Sequence, residues 1–281
     1  MTAAIPLRRP RSLPARTRRE RIVGTAQILA AHLPPLTLFY TGTRREDWIA
    51  LGVLYLFNMF GLGASMHRYF THKAFRTSRT FQFFLALLAA VFYGDPIHFA
   101  GSHRLHHRFS DTDRDPHSPR EGAWHCWIGN LIEDGYTERE RLEMVPDLTR
   151  YPELMWVHRH WFLVGSLAAL AVYLSGGYTM AVLAFGGNLL LKLHLMSAIN
   201  FFGHRGEGGP DGDLSTNNAF LGIFCFGEGW HHNHHLYPGA ARSGVRWYEL
   251  DVVYYILKIL SWVGLVWELR EVPEAARRRA C

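Results

Sequence analysis

Histidine is the residue of this sequence with the clearest potential for chemistry. Of the 17 histidines in 281 residues, nine fall in three short clusters. The clusters are H-x4-H at residues 67–72, H-x2-H-H at 103–107 and H-H-x-H-H at 231–235. Core packing gives no reason for such clustering, whereas imidazole is a common ligand of Fe, Zn, Cu and Ni. The clusters therefore predict a metal site.

The spacing inside the clusters indicates how the imidazoles could meet. Residues i, i+3 and i+4 of an α-helix share one face, so the three histidines of the second cluster can converge. The same holds for His231, His234 and His235 of the third. His67 and His72 are five apart, about 140° round an α-helix, so this pair needs a local bend or two different metals.

Two further observations bear on the metal. Asn200 and His204 would share a helix face where a long apolar segment ends. The three cysteines, at positions 126, 225 and 281, are far apart, which argues against a disulfide framework and a thiolate zinc site. So many imidazoles exceed the needs of one tetrahedral zinc and suit two metals of higher coordination.

An acidic stretch follows the second cluster. Its carboxylates, Asp111, Asp113 and Asp115, could orient the histidines from behind. The alternative is a solvated acidic turn balanced by Arg114, and we favour that interpretation for at least two of the three.

Long apolar segments must position these residues. About 20 apolar residues span a membrane, and four segments approach this length, at about residues 22–40, 48–66, 157–175 and 178–200. A Ser-Gly-Gly turn at 175–177 separates the last two. We therefore predict an all-α integral membrane protein with four transmembrane helices in two hairpins. The alternative is a soluble protein with buried helices.

Charge predicts the orientation of these helices. Residues 1–21 contain seven arginines and one acidic residue, so this segment has a net charge of +6. The whole chain has the same formal net charge. Such a basic tail, which we expect to be disordered, places the N-terminus in the cytoplasm. It leaves a neutral body, which argues against nucleic-acid binding. The C-terminus and all histidine clusters then lie on the cytoplasmic side.

The remaining segments form the predicted cytoplasmic helical cap, residues 67–156 and 201–273, which with the spans makes one membrane domain of residues 22–273. Residues 81–93 are apolar but too short to span, and are expected to lie flat or buried. Residues 252–266 are typical of an interfacial or docking helix. A short tail, residues 274–281, completes the chain.

Taken in order, the histidine motifs resemble those of the membrane fatty acid desaturases, in particular the Δ9 branch of stearoyl-CoA desaturase-like and bacterial acyl-CoA or acyl-lipid enzymes. The resemblance runs from about residue 48 to residue 273. It rests on the three histidine boxes, the N-x3-H element at 200–204, the Asp-Leu-Ser-Thr-Asn-Asn run at 213–218 and the flanks Gly-Glu-Gly-Trp at 227–230 and Tyr-Pro-Gly-Ala-Ala-Arg at 237–242.

The resemblance implies a diiron centre with nine histidine ligands and an asparagine, Asn200, that holds a metal-bound water. His232 falls at a non-ligand position of its box, and His117 matches a family histidine with a structural role or a place at the substrate mouth. The implied ligands are His67, His72, His103, His106, His107, His204, His231, His234 and His235.

The reaction implied by the resemblance is O2-dependent desaturation. Two electrons from a separate donor protein, of the ferredoxin, rubredoxin or cytochrome b5 type, would support formation of a cis double bond in an acyl-CoA or acyl-lipid. By the same resemblance, Tyr55 and Met59 cap the far end of the acyl tunnel, although ordinary helix packing is an equal alternative. A hydroxylase or alkene-forming oxidase of the same superfamily is the first alternative, and a non-catalytic membrane metal-binding protein the second.

Overall fold

A computed structural model of the chain describes residues 18–133, 135–207 and 212–274. The described part is mostly helical, as the sequence predicts. Its two strands, β1 (Arg76–Thr77) and β2 (Val266–Trp267), form one short antiparallel pair in which Arg76 faces Trp267. Most of the predicted basic tail and all but the first residue of the predicted C-terminal tail lie outside the described residues.

Four of the α-helices adjoin π-helical segments. The α-helices are α1 (Arg18–Leu36), α2 (Leu38–Thr41), α3 (Arg45–Phe60), α4 (Arg79–Val91), α5 (Pro96–Phe109), α6 (Asn130–Glu133), α7 (Glu138–Glu143), α8 (Pro146–Thr149), α9 (Pro152–Met180), α10 (Gly187–Phe202), α11 (Ala219–Phe224), α12 (His231–Leu236) and α13 (Val252–Trp262). The π-helical segments are Gly61–Thr71, His125–Gly129 and Ala181–Gly186, and Pro119–Glu121 is a 3-10 turn. Helices α3 and α9 continue into a π-helical segment, and α6 and α10 follow one.

Two continuous helices among the described residues are long and apolar enough to cross a membrane. Arg45–Thr71 combines α3 with the first π-helical segment in 27 residues, and Pro152–Phe202 combines α9, the third π-helical segment and α10 in 51 residues. At 1.5 Å per residue the second would be about 75 Å long if straight, far more than a bilayer core of about 30 Å. Gly177, with a φ of 76°, breaks it within the predicted turn.

The predicted first span is divided between two helices. Residues 22–40 fall in α1 and α2, and α1 contains Pro34 and Pro35. This segment is not among the candidate spans. Helices α4 and α5, which are bent by 87° relative to each other, would make a third candidate span if the pair is counted as one broken span. The apolar helices support a membrane protein. The arrangement of four spans in two hairpins stays a prediction.

The short apolar helices pack as their sequences suggest. On α4, Leu85, Ala86 and Ala90 are fully buried against the helices around the first histidine cluster, in agreement with a buried segment. On α13, Val253 and Leu257 enter the same core, while the opposite face is exposed. Eleven residues are too few to span a bilayer, so α13 fits the expected docking or interfacial helix.

Candidate metal centre

The first histidine pair lies at the end of a π-helical segment. The backbone N–H of His72 donates to the carbonyl of His67 at 3.3 Å, which is the i to i+5 bond that defines this helix. A π-helix brings residues five apart onto one face, so the 140° separation expected in an α-helix disappears. The two imidazole ring centres are 5.0 Å apart. Of the two sequence alternatives, the local distortion is therefore the one that the structure contains.

The second and third clusters occupy short helices with well-defined beginnings. The Asp95 carboxylate caps α5 by accepting from the backbone N–H groups of Ile97 and His98. Helix α12 begins after Gly229, which packs so closely on α11 that a Cβ atom would lie 2.1 Å from a backbone nitrogen of Gly222. Glycine is therefore required at position 229 to bring α12 onto the site.

The structure brings all nine predicted ligands together, in two adjacent groups. Within each group, one potential ligand atom per residue lies within 4.8 Å of all the others. A five-histidine group combines both residues of the first cluster with two of the second and one of the third, and consists of His67, His72, His103, His107 and His234. A four-histidine group consists of His106, His204, His231 and His235.

The Nε2 atoms of both groups converge at distances typical of metal ligands. In the five-histidine group, Nε2 of His107 is 2.9 Å from that of His234 and 3.2 Å from that of His103. In the four-histidine group, Nε2 of His231 is 2.8 Å from that of His204 and 3.1 Å from that of His235. Nitrogens bound at about 2.0–2.1 Å to one metal are separated by about 3 Å.

Hydrogen bonding alone does not account for this convergence. The Nδ1 atoms of His106 and His235 face the carboxylates of Asp115 and Asp213 at 2.9 and 3.2 Å. A carboxylate accepts, so each Nδ1 donates and each Nε2 carries a bare lone pair. These two Nε2 atoms nevertheless face each other at 3.4 Å. A cation between them converts this repulsion into two bonds, so the residues fit a metal.

His72 adds an independent indication. Its Nε2 atom is buried and has no hydrogen-bond partner among the described residues. An unpaired polar atom in a protein interior costs about 1–3 kcal/mol unless something else satisfies it. A metal in the five-histidine group would do so.

Burial keeps the imidazoles in the form that binds metals. It lowers the pKa of His231 and His234 well below the usual value, and the neighbouring histidines lower it further. Both side chains are therefore neutral at pH 7, and a metal ligand must be neutral imidazole.

Carboxylates orient the histidines from behind. Asp111 accepts from Nδ1 of His204 at 3.0 Å, and Asp115 does the same for His106 at 2.9 Å. Asp111 and Asp115 are 1% and 3% exposed, and only Asp113 lies at the surface. The interpretation of at least two of these residues as a solvated turn is therefore wrong. In the sequence, acidic residues that alternate beside Arg114 are typical of an exposed turn. In the structure, the turn folds back against the histidines, which buries two of its three carboxylates.

Glu228 is a functional residue that sequence reasoning missed. Its carboxylate accepts from Nδ1 of His67 and pairs with Arg68 at 2.9 Å, and Arg68 also pairs with Asp251 at 2.9 Å. Burial raises the pKa of Glu228, but His67 and Arg68 outweigh burial and lower it to about 2. The signal in the sequence is the Gly-Glu-Gly-Trp flank, which places this glutamate three residues before the third cluster.

The other histidines near the centre stay outside the two groups. His232 is exposed and bonds the Ser215 hydroxyl at 2.9 Å, which agrees with its expected non-ligand position. The ring of His117 lies 4.3 Å from that of His106, and Nε2 of His125 faces the Pro116 carbonyl at 3.2 Å.

Asn200 lies on α10, one turn before His204 of the four-histidine group. The residue is half-buried, and its side chain makes no hydrogen bond to another described residue. Its amide is therefore available for a role other than packing.

The two predicted tunnel residues occupy one apolar cluster. Met59 is 1% exposed and packs with Leu62 and Met66, and Tyr55 lies at the edge of the cluster, where its hydroxyl donates to the Phe224 carbonyl. The Phe99 ring belongs to the same cluster. It stacks on His103 of the five-histidine group, with ring centres 5.4 Å apart. Apolar side chains thus connect Met59 with the candidate metal centre.

Comparison with known proteins identifies relatives over most of the chain. The family model for fatty acid desaturases matches residues 46–261. An acyl-CoA C20 Δ5-desaturase of Anemone leveillei is 34% identical over 240 residues, covering 84% of this chain and 77% of its own. A Δ9 acyl-lipid desaturase of Arabidopsis thaliana is 34% identical over 245 residues, covering 83% and 78%.

A bacterial relative extends the match. The sn-1 stearoyl-lipid 9-desaturase of Anabaena variabilis is 33% identical over 253 residues, covering 86% of this chain and 91% of its own. The family match spans all four histidine-bearing elements and both histidine groups. The chain therefore belongs to the fatty acid desaturase family.

Proposed function

We propose that this protein is an O2-dependent acyl desaturase that introduces a cis double bond, at the Δ9 position, into a saturated acyl-CoA or acyl-lipid. The observation that carries the proposal is the division of nine buried histidines into two groups of converging nitrogens. Relatives named as Δ9 acyl-lipid desaturases support the position of the double bond. The resemblance of the histidine-box flanks to the Δ9 branch supports it as well.

The two histidine groups would each hold one iron ion. A methylene C–H bond has no acidic proton for a side-chain base, so the chemistry must come from a redox centre. When bound, two irons with O2 and two electrons from a separate donor protein supply the oxidation that removes two hydrogens. The nine imidazoles fix the ions, and Asp111, Asp115, Asp213 and Glu228 fix the imidazoles. Asn200 would orient a water at the four-histidine group.

The apolar cluster around Met59 would form the blind end of the acyl tunnel. The Phe99 ring between this cluster and His103 excludes water and presents an apolar wall beside the reacting carbons. In this arrangement the distance from Met59 to the centre selects which carbon pair lies beside the metals.

We further propose the membrane arrangement that the sequence predicts. The domain of residues 22–273 would cross the bilayer four times, with both termini and the metal centre in the cytoplasm. The apolar length of Pro152–Phe202 and its break at Gly177 support the second hairpin. An accessibility assay with single cysteines placed near residues 42 and 177 tests this, since both loops should be labelled only from the outer side.

Fatty acid analysis tests the reaction itself. Cells that express the protein should contain a new monounsaturated acid by gas chromatography–mass spectrometry, with the double bond located by derivatisation. A His106→Ala strain, which lacks one nitrogen of the four-histidine group, should lose the product. A hydroxy acid or terminal alkene would assign the oxidase alternative. Iron binding without O2 consumption in the reduced protein would assign the non-catalytic one.

A further inference from the structure

The two histidine groups differ in the carboxylates behind them. In the four-histidine group, three of the four imidazoles have a carboxylate facing Nδ1: His106, His204 and His235 pair with Asp115, Asp111 and Asp213. In the five-histidine group, only His67 has such a partner among the described residues, and that partner is Glu228. Three carboxylates therefore support four histidines on one side, and one supports five on the other.

The surroundings increase this difference in charge. Glu228 shares its negative charge with Arg68, whose guanidinium lies 2.9 Å from the other carboxylate oxygen. Asp111 and Asp115 have only histidines as ion-pair partners among the described residues. In addition, an oxygen of Asp111 lies within 4.8 Å of one of Asp213. Two like charges so close in a partly buried site repel, and a divalent cation at the neighbouring nitrogens relieves the repulsion.

Ligand number acts in the opposite direction, since the five-histidine group offers one more imidazole. A neutral ligand contributes no net charge, however, whereas each carboxylate adds attraction for the cation and strengthens the donor nitrogen. Loss of one such outer partner typically costs about 10–100-fold in metal affinity. The four-histidine group has two more such partners than the five-histidine group, so the carboxylates favour the four-histidine position.

We propose that the two metal positions are inequivalent, and that the four-histidine group binds its iron more tightly and releases it more slowly than the five-histidine group. This inference rests on the metal centre of the proposed function and adds an order of loading to it. The four-histidine position fills first, and the five-histidine position limits the fraction of protein that holds both ions.

Iron release from the purified full-length protein tests the proposal. Protein loaded anaerobically with two equivalents of Fe(II) is mixed with a coloured Fe(II) chelator, and release is followed by absorbance. We expect two phases of one equivalent each, with rate constants that differ at least about tenfold. His231→Ala should abolish the slow phase, and His72→Ala the fast one.

Isosteric variants separate the two sets of carboxylates. Asp115→Asn should accelerate the slow phase about 10–100-fold and leave the fast phase within about twofold. Glu228→Gln should do the reverse. Because Glu228 also pairs with Arg68, that variant is accepted only if its circular dichroism matches the parent, and Asp111→Asn provides a second test of the four-histidine side.

The outcomes distinguish this inference from the proposed function. A single phase of two equivalents, or an Asp115→Asn effect confined to the fast phase, overturns the inequivalence while leaving a diiron desaturase intact. A protein that binds no iron would refute both. Two clear phases in a protein that forms no unsaturated product would support the inequivalence and refute the desaturase.

Discussion

Arg68 offers the sharpest test of how the centre is held in place. Its side chain is 2% exposed, pairs with Glu228 and Asp251 at 2.9 Å and donates to the Ala241 carbonyl at 2.7 Å. Arg68→Met keeps much of the volume but leaves two buried carboxylates without their cation. Breaking a buried pair in this way costs about 3–5 kcal/mol, because the remaining charge stays desolvated.

The assay is thermal unfolding of the purified protein in detergent micelles. For a chain of this size, each kcal/mol lowers Tm by about 2–4 °C, so the expected decrease is roughly 10 °C. Arg79→Met is the matched control, since Arg79 pairs with Glu153 at 2.6 Å but is 66% exposed. An exposed pair contributes about 0–1 kcal/mol, and this variant should lose little.

Equal shifts in the two variants would refute the reasoning, since burial would then have no effect on the cost. Iron binding is a second measurement, which distinguishes an effect on the metal centre from a loss of overall stability. Glu228 holds Nδ1 of His67, so Arg68→Met should also weaken iron binding in the five-histidine group. Arg79→Met, which contacts no residue of the centre, should not change it.

Three further predictions concern the tunnel, the water ligand and pH. Met59→Ala should extend the accepted acyl chain and cost about 2–5 kcal/mol of stability; an unchanged product profile by gas chromatography would contradict the tunnel. Asn200→Ala should abolish product while iron content and Tm stay within error, because this side chain makes no hydrogen bond to a described residue. Hydrogen bonds from His158 and His98 lower the pKa of Glu138, so its stabilisation is present above about pH 4.5 and is lost as pH falls through the folded-state pKa. Relative to Glu138→Gln, the parent should therefore be more stable by under about 1 kcal/mol at pH 7, since Glu138 is half-exposed. This difference should persist down to about pH 4.5 and shrink as the pH falls further, so a Tm difference that is unchanged at about pH 2 would contradict it.

Part of the candidate ligand set could be anticipated from the sequence because helical periodicity is local, and the resemblance to the family supplied the rest. Positions i, i+3 and i+4 share one face of a helix, which predicts that the second and third clusters each converge on one point. That prediction is wrong in detail, because the structure divides both clusters between the two groups. The composition and apolar lengths likewise indicate a helical membrane protein. These features depend only on the order of residues in the sequence and on the 3.6-residue periodicity of the α-helix.

The partition of the histidines depended on the tertiary structure. His106 and His107 are neighbours in sequence yet belong to different groups, because adjacent residues on α5 point about 100° apart. His67 and His72 meet through a π-helical segment, which the α-helical period does not describe. Neither feature follows from spacing alone, because each depends on which helix packs against α5 and α12.

The sequence by itself indicated a histidine-rich candidate metal site and a helical membrane protein, since these follow from residue types and local repeats, and its motifs indicated the family. The tertiary structure decided which imidazoles lie together in each group and which carboxylates contact them. The sequence pattern around Asp111 and Asp115 is typical of a solvated turn, but the fold buries both side chains. Glu228 contacts His67, which is 161 residues away in the sequence. Such contacts depend on packing between distant segments, and no local pattern encodes them.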